Sequence, residues 1–249
     1  MQENSALGRA LEVVRDLRRR CPWDRAQTRA TLRPYLVEEV MELDHALGEG
    51  DPAAIREEVS DLLLHLAWQL VLAEEHREFT ADDIAGDLER KMRRRHPHLY
   101  DLGPAEPWEQ LKRKERRRGV LDGLPRALPD LLMAYRLQER AATVGFDWPD
   151  TEGPLEKIRE ETEEVAAAIG AGADEEHLAA EIGDLLFAVV NLARKARIQP
   201  GQALLGANRK FRARFEQIER LAAERGIDLP TTGLEVLDGM WEEAKAGEG

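Results

Sequence analysis

The sequence predicts an all-α protein built as two related helical-bundle domains in tandem. Three observations lead there. Apolar residues recur with a period near 3.6 along most of the chain. Aromatic residues make up only 5% of its 249 positions, and β-branched runs of period two are scarce, so a sheet has little to be made from. One spacing of acidic and apolar residues occurs four times, twice in each half.

Taken in order, the periodicity predicts helices over residues 6–20, 32–47, 53–75 and 81–95. Asp51-Pro52 reads as the N-terminus of the third, with proline in its first turn. A stretch with proline and glycine, 96–107, leads into a charged segment, 108–118. Gly119, Gly123, Pro125 and Pro129 then mark a junction. Beyond it the pattern restarts, predicting helices over 130–144, 155–169, 175–196, 201–224 and 234–246. The expected domains are therefore 1–118 and 119–249, a size suited to a chain of this length. A repeat this long is a duplicated domain rather than a solenoid unit of about 20–50 residues.

The formal net charge of −13 argues against a broad surface for nucleic-acid polymers, which needs a basic field. An acidic protein that handles phosphates needs bridging cations or local basic clusters. Cys21 is the only cysteine, so no internal disulfide forms, and a lone thiol fits a reducing cytoplasm. The first residues lack the pattern of a signal peptide, and no run of about 18 apolar residues suggests a membrane span.

The repeated spacing is an apolar residue, an acid three positions on, an acid six positions on, and an apolar residue next. Its copies are Leu36-Glu39-Glu42-Leu43, Ile55-Glu58-Asp61-Leu62, Ile158-Glu161-Glu164-Val165 and Leu178-Glu181-Asp184-Leu185. At about 100° per residue both acids fall on one flank of the apolar stripe, one turn apart. Gly48, Gly50 and Pro52 join the first two copies, and Gly170 and Gly172 the second two. Each pair is expected to fold back on itself, facing stripe to stripe, so that four carboxylates converge. Four such charges repel and are costly to bury unpaired. A hard divalent cation relieves this, and an all-oxygen set suits Mg²⁺ or Mn²⁺, which bridge to phosphates.

Written as a motif, the hairpins are Glu38-Glu39-x-x-Glu42 with Glu58-x-x-Asp61, and Glu160-Glu161-x-x-Glu164 with Glu181-x-x-Asp184. This resembles the signature of the all-α nucleoside triphosphate pyrophosphohydrolases, specifically the tandem-domain MazG proteins. The likeness extends to Cys21-Pro22-Trp23-Asp24, Arg94-Arg95-His96-Pro97-His98, Val144-Gly145-Phe146-Asp147-Trp148, and Gly183-Asp184-Leu185-Leu186-Phe187 with Asn191-Leu192-Ala193-Arg194. It implies a Mg²⁺-dependent enzyme that hydrolyses nucleoside triphosphates to monophosphate and pyrophosphate, assembled as a homodimer. By position it implies metal ligands at Glu161, Glu164, Glu181 and Asp184, with equivalents Glu39, Glu42, Glu58 and Asp61. Glu38 and Glu160 lie further round the helix; each orients or deprotonates the attacking water, or is a surface acid.

A triphosphate also needs cations to balance charge on the leaving pyrophosphate. Lys210 and Arg214 share a helix face by their i, i+4 spacing, as do Lys91 and Arg95. Trp241 and Lys245 form a Trp-x-x-x-Lys, echoed by Trp108 and Lys112. The resemblance makes Asn208, Lys210, Arg214, Trp241 and Lys245 substrate-site residues, with Trp241 able to stack a base. Glu89 stands where the second half has Asn208, which favours the second domain as the active one.

Two other readings stand beside the enzyme. One is a non-catalytic helical module that binds metal or nucleotide to regulate or assemble. The other is a carboxylate-bridged redox protein, which needs two Glu-x-x-His motifs; only Glu42-x-x-His45 exists. His45 and His65 therefore read as helix-face residues. No Gly-rich phosphate loop is present. Base preference and the phosphorus attacked stay open.

Overall fold

The computed structural model describes residues 5–105 and 119–247. These residues hold ten α-helices, two single 3₁₀ turns and no strand. None of the helices is long and apolar enough to cross a membrane. The chain divides into two compact units, Met1–Glu106 and Pro107–Gly249.

Unit 1 runs α1 (Ala6–Arg20), α2 (Pro22–Ala26), α3 (Arg29–Glu49), α4 (Pro52–Glu75) and α5 (Ala81–Arg95). The short α2 escapes the periodicity because five residues cannot repeat a 3.6 pattern. Caps set the other boundaries. Ser5 accepts from Gly8 N at 3.0 Å, and Asp51 accepts from Ala53 N at 3.0 Å beside Pro52. Thr28 and Thr31 form a reciprocal capping pair that starts α3 three residues before the periodicity does. Helix α3 ends at Gly50 with φ 75°, a left-handed turn that glycine adopts without a Cβ clash. That turn lets α4 fold back on α3. Helix α1 also packs on α4, burying Leu11, Val14, Leu32, Ala67, Trp68, Val71 and Leu72 in one core with Ala81. Arg18 fixes the α2 region: it donates to the carbonyls of Asp24 (2.7 Å), Arg25 (2.8 Å) and Gln27 (2.8 Å), and pairs with Glu75 at 2.7 Å.

Unit 2 runs α6 (Asp130–Ala142), α7 (Glu152–Gly170), α8 (Glu175–Lys195), α9 (Pro200–Arg225) and α10 (Leu234–Ala246). Helices α7 and α8 form the second hairpin across Gly172, φ 65°, with Asp174 capping α8 by accepting from His177 N at 2.9 Å. Helix α6 lies against α8 and α9. Helix α10 closes on α9 through buried Ile218, Ala222 and Met240, with Leu221, Leu237 and Trp241 around them. The apolar anchors of all four acid repeats are half-buried, as expected where one helix of a hairpin faces the other.

Candidate active site

Each hairpin brings its acids together. In unit 1, α3 supplies Glu39 and α4 supplies Glu58 and Asp61; one carboxylate oxygen from each lies within 4.8 Å of the other two. In unit 2, α7 supplies Glu161 and α8 supplies Glu181 and Asp184, within the same limit. Three of each expected four therefore meet. The remaining two, Glu42 and Glu164, lie outside these groups but stay in electrostatic reach. Glu42 acts on Glu39 and Glu58, and Glu164 shares a hydrogen bond with Glu161.

The two centres hold their charge differently. In unit 1, burial and then repulsion from Asp61 and Glu42 raise Glu39 above the ordinary carboxylate range, against the pull of His65. Burial, then Glu42, Glu57 and Asp61, raise Glu58 too. In unit 2, Lys157 lies one turn back on α7 and reaches Glu160 at 2.8 Å and Glu161 at 2.6 Å. Its ammonium is raised well above its usual range by those two carboxylates, Glu160 first. The Lys157 bond lowers Glu161, which is only 5% exposed. Glu164 is raised by its hydrogen bond to Glu161, by burial and by that neighbour's charge.

Sequence reasoning missed two of these residues. Lys157 was legible as an i, i+4 partner of Glu161. His65 corrects the helix-face reading. It is 7% exposed, with Nε2 3.6 Å from Glu39 Oε1, because the α4 face that carries it is turned towards α3. His45 is exposed on α3, as that reading has it. Glu160 is exposed and holds Lys157.

The expected cation group sits on α9 and α10. The Arg214 guanidinium lies 5.4 Å from the centre of the Trp241 ring, and Phe211 meets the same ring at 5.4 Å. Lys245 pairs with Glu242 at 3.3 Å. Asn208 and Lys210 are exposed on α9. In unit 1, Lys91 is exposed and Arg95 half-buried on α5. Trp108 and Lys112 lie outside the described residues.

The family model described as the MazG nucleotide pyrophosphohydrolase domain matches the chain twice, over residues 27–100 and 151–218. Each match contains one complete acid hairpin. The chain belongs to the MazG family. It is 38% identical to the nucleoside triphosphate pyrophosphohydrolase of Escherichia coli K12, covering 96% of this chain and 95% of that one. It is 41% identical to the nucleoside triphosphate pyrophosphohydrolase/pyrophosphatase MazG of Thermotoga maritima, covering 92% and 90%. The Bacillus subtilis protein YabN is 40% identical over 95% of this chain and 51% of its own length.

Within this tandem MazG chain the units differ beside the acids. On α5, Glu89 pairs with Arg93 at 2.8 Å, whereas α9 presents the uncharged Asn208. Ahead of α7, Asp147 is clasped from α8. It accepts from the Arg194 guanidinium and from Lys195 Nζ at 3.3 Å, while Lys195 also donates to the Trp148 carbonyl at 2.5 Å. Burial acts to raise Asp147, but Arg194 and Lys195 together bring it below its ordinary 3.8. A carboxyl lowered on folding stabilises the fold above its unfolded value and loses that contribution as pH falls through its folded value. Below pH 4, Asp147→Asn is thus expected to flatten the acid-induced loss of unit 2 stability, measured by denaturant titration at several pH values. Equal slopes in both proteins would remove the clasp from the acid response.

Proposed function

We propose that the chain hydrolyses nucleoside triphosphates to nucleoside monophosphate and pyrophosphate at the acid centre of unit 2, with Mg²⁺, or Mn²⁺ in its place. The observation that carries this is the meeting of Glu161, Glu181 and Asp184 from two antiparallel helices. The set is all oxygen and close enough to share one cation. Glu164 completes the set. A divalent ion held there neutralises the triphosphate and makes its phosphorus more electrophilic.

The chain's own groups do the rest. Glu160 stands beside Glu161 and accepts the proton of the attacking water. The water oxygen bonds to phosphorus as the bridging P–O bond breaks and pyrophosphate leaves. Lys157 is free to turn from Glu161 towards the phosphates once the carboxylate has another cation. Lys210, Arg214 and Lys245, with Trp241 beside them, form the cationic wall for the departing pyrophosphate. In unit 1, Glu39, Glu42, Glu58 and Asp61 repeat the metal set, with Lys91, Arg95, Trp108 and Lys112 as the matching substrate group.

Purified protein with Mg²⁺ and any nucleoside triphosphate is expected to release monophosphate and pyrophosphate in equal amounts, and to stop on chelation with EDTA. Release of diphosphate and phosphate, or turnover unaffected by EDTA, would overturn the reading.

A homodimer belongs to the same proposal. Both acid hairpins leave apolar side chains uncovered: Val37, Val40 and Met41 on α3, Leu63, Leu64 and Leu66 on α4, Ile182, Leu186 and Val189 on α8. Apolar faces this extensive call for a covering surface. Light scattering is expected to give twice the chain mass; a single-chain mass at working concentration contradicts it. The lone thiol of Cys21 suits a reducing cytoplasm.

A further inference from the structure

The two acid centres share one plan but differ in what lies beside the carboxylates. Aligning Asp61 with Asp184 pairs His65 with Ala188 and Trp68 with Asn191. Aligning Glu39 with Glu161 pairs Tyr35 with Lys157. Unit 2 therefore sets an ammonium against Glu161 at 2.6 Å and a small buried alanine one turn past Asp184. Unit 1 carries a phenol and an imidazole at those two places.

His65 is 7% exposed, and neither ring nitrogen makes a hydrogen bond among the described residues. Nδ1 is buried with no partner. Nε2 is turned to Glu39 Oε1 at 3.6 Å, too long for a hydrogen bond. The Tyr35 ring stacks on the imidazole from α3, with centroids 6.5 Å apart and planes 20° from parallel, and so holds this orientation. Burying an imidazole without hydrogen bonds is costly. Here the cost is borne by a side chain whose Nε2 is aimed at one of three converging carboxylates.

The spacing suits a shared ion. Adjacent ligand atoms on a small divalent cation stand roughly 3–3.5 Å apart, given bonds of about 2.0–2.2 Å. The 3.6 Å between Nε2 and Oε1 is close to that. His65 follows Asp61 by four residues and Glu58 by seven, so the three share one face of α4, while Glu39 comes from α3.

We propose that Glu39, Glu58, Asp61 and His65 Nε2 form a mixed nitrogen–oxygen site for a divalent transition ion of the Zn²⁺ or Co²⁺ kind, which fastens α3 to α4. The assignment rests on the reading of the unit 1 acids as metal ligands, and it separates the ion of unit 1 from the Mg²⁺ of unit 2. Imidazole nitrogen suits such ions, whereas Mg²⁺ keeps to oxygen and to its own water. Four protein ligands leave a tetrahedral ion no open position, the arrangement of a structural site rather than a catalytic one. In unit 2 the histidine beside the acids, His177, is exposed in the first turn of α8, with Nε2 3.7 Å from Glu181.

The test uses the full chain, stripped with EDTA and equilibrated with micromolar Co²⁺ in millimolar Mg²⁺. The wild type is expected to retain Co²⁺ against that excess and to unfold at a higher temperature than in Mg²⁺ alone. Its proton NMR spectrum is expected to show the strongly shifted ring N–H of a Co²⁺-bound imidazole. His65→Ala, which installs the unit 2 residue, is expected to lose that resonance and at least about tenfold in Co²⁺ affinity, since partners one shell further out already cost that much. Its Mg²⁺ affinity is expected to stay unchanged. His65→Gln keeps a polar side chain of similar length and removes the ring nitrogen, so the same losses there exclude a folding defect as their cause. His177→Ala is expected to keep both properties. A resonance that survives His65→Ala, bound Co²⁺ without an imidazole resonance, or Co²⁺ fully displaced by Mg²⁺ overturns the mixed site and leaves the carboxylate reading of unit 1 standing. Co²⁺ content unchanged by Asp61→Ala overturns that carboxylate reading, and the mixed site with it.

Discussion

Asp184→Ala and Glu161→Ala are each expected to lower kcat for nucleoside triphosphate hydrolysis by roughly 10³-fold or more. A divalent ion at a reacting phosphate is worth several kcal/mol of barrier, and about 1.36 kcal/mol is a factor of ten. Removing one of three oxygens that lie within 4.8 Å of each other destroys the cage rather than loosening it. Folding should survive, because Asp184 is exposed and the Lys157 partner that Glu161→Ala releases keeps Glu160 at 2.8 Å. Glu161→Ala adds a diagnostic: it frees Lys157 from its 2.6 Å partner, so its loss of binding affinity should be smaller than its loss of kcat. The matching change in unit 1, Asp61→Ala, is expected to cost under tenfold, because unit 1 pairs Glu89 with Arg93 where unit 2 keeps Asn208. Steady-state kinetics on the three variants decides this. Equal losses in Asp61→Ala and Asp184→Ala would assign catalysis to both units, and a full effect from Asp61→Ala alone would assign it to unit 1.

Much of this was legible in the sequence because helices and paired carboxylates both leave periodic signals. The repeated i+3, i+6 acids fixed which helix flanks face each other, and the structure brings Glu39 to Glu58 and Asp61, and Glu161 to Glu181 and Asp184. Less was legible where a residue's role depends on which face a neighbour covers. His65 and Gln138 have no periodic signature, and their meaning comes from α3 in one case and from the α6–α8 contact in the other. The cavity that Phe146, Trp148 and Phe187 line in unit 2 is invisible to pattern reading for a further reason. Its existence depends on a side chain that is absent, namely the counterpart of Trp68, and only two copies of one fold side by side reveal the difference. Boundaries moved by one to three residues where a cap governed them, as Thr28 does for α3.

Trp68→Ala is expected to destabilise unit 1 by about 3–5 kcal/mol, the range for deleting a large buried aromatic side chain. That is a large share of the roughly 5–15 kcal/mol available to a typical domain. Trp68 packs among Leu11, Val14, Leu32, Val71 and Leu72, and the Arg18 guanidinium lies 5.9 Å from its ring. Losing the indole therefore also removes the surface on which Arg18 is placed, and Arg18 holds three carbonyls of the α2 region and Glu75. Denaturant unfolding should show an early transition in this variant. Trp68→Asn, which gives unit 1 the residue of unit 2, should be at least as damaging, because it adds an amide without partners to an apolar core. The reverse exchange, Asn191→Trp, places an aromatic ring into space that already exists, so its stability cost should be far smaller. The asymmetry between the two exchanges is the measurable point. A cost under 1 kcal/mol for Trp68→Asn would mean that unit 1 also tolerates an open polar face there, and the distinction between a filled and an open copy of the helix face would fall.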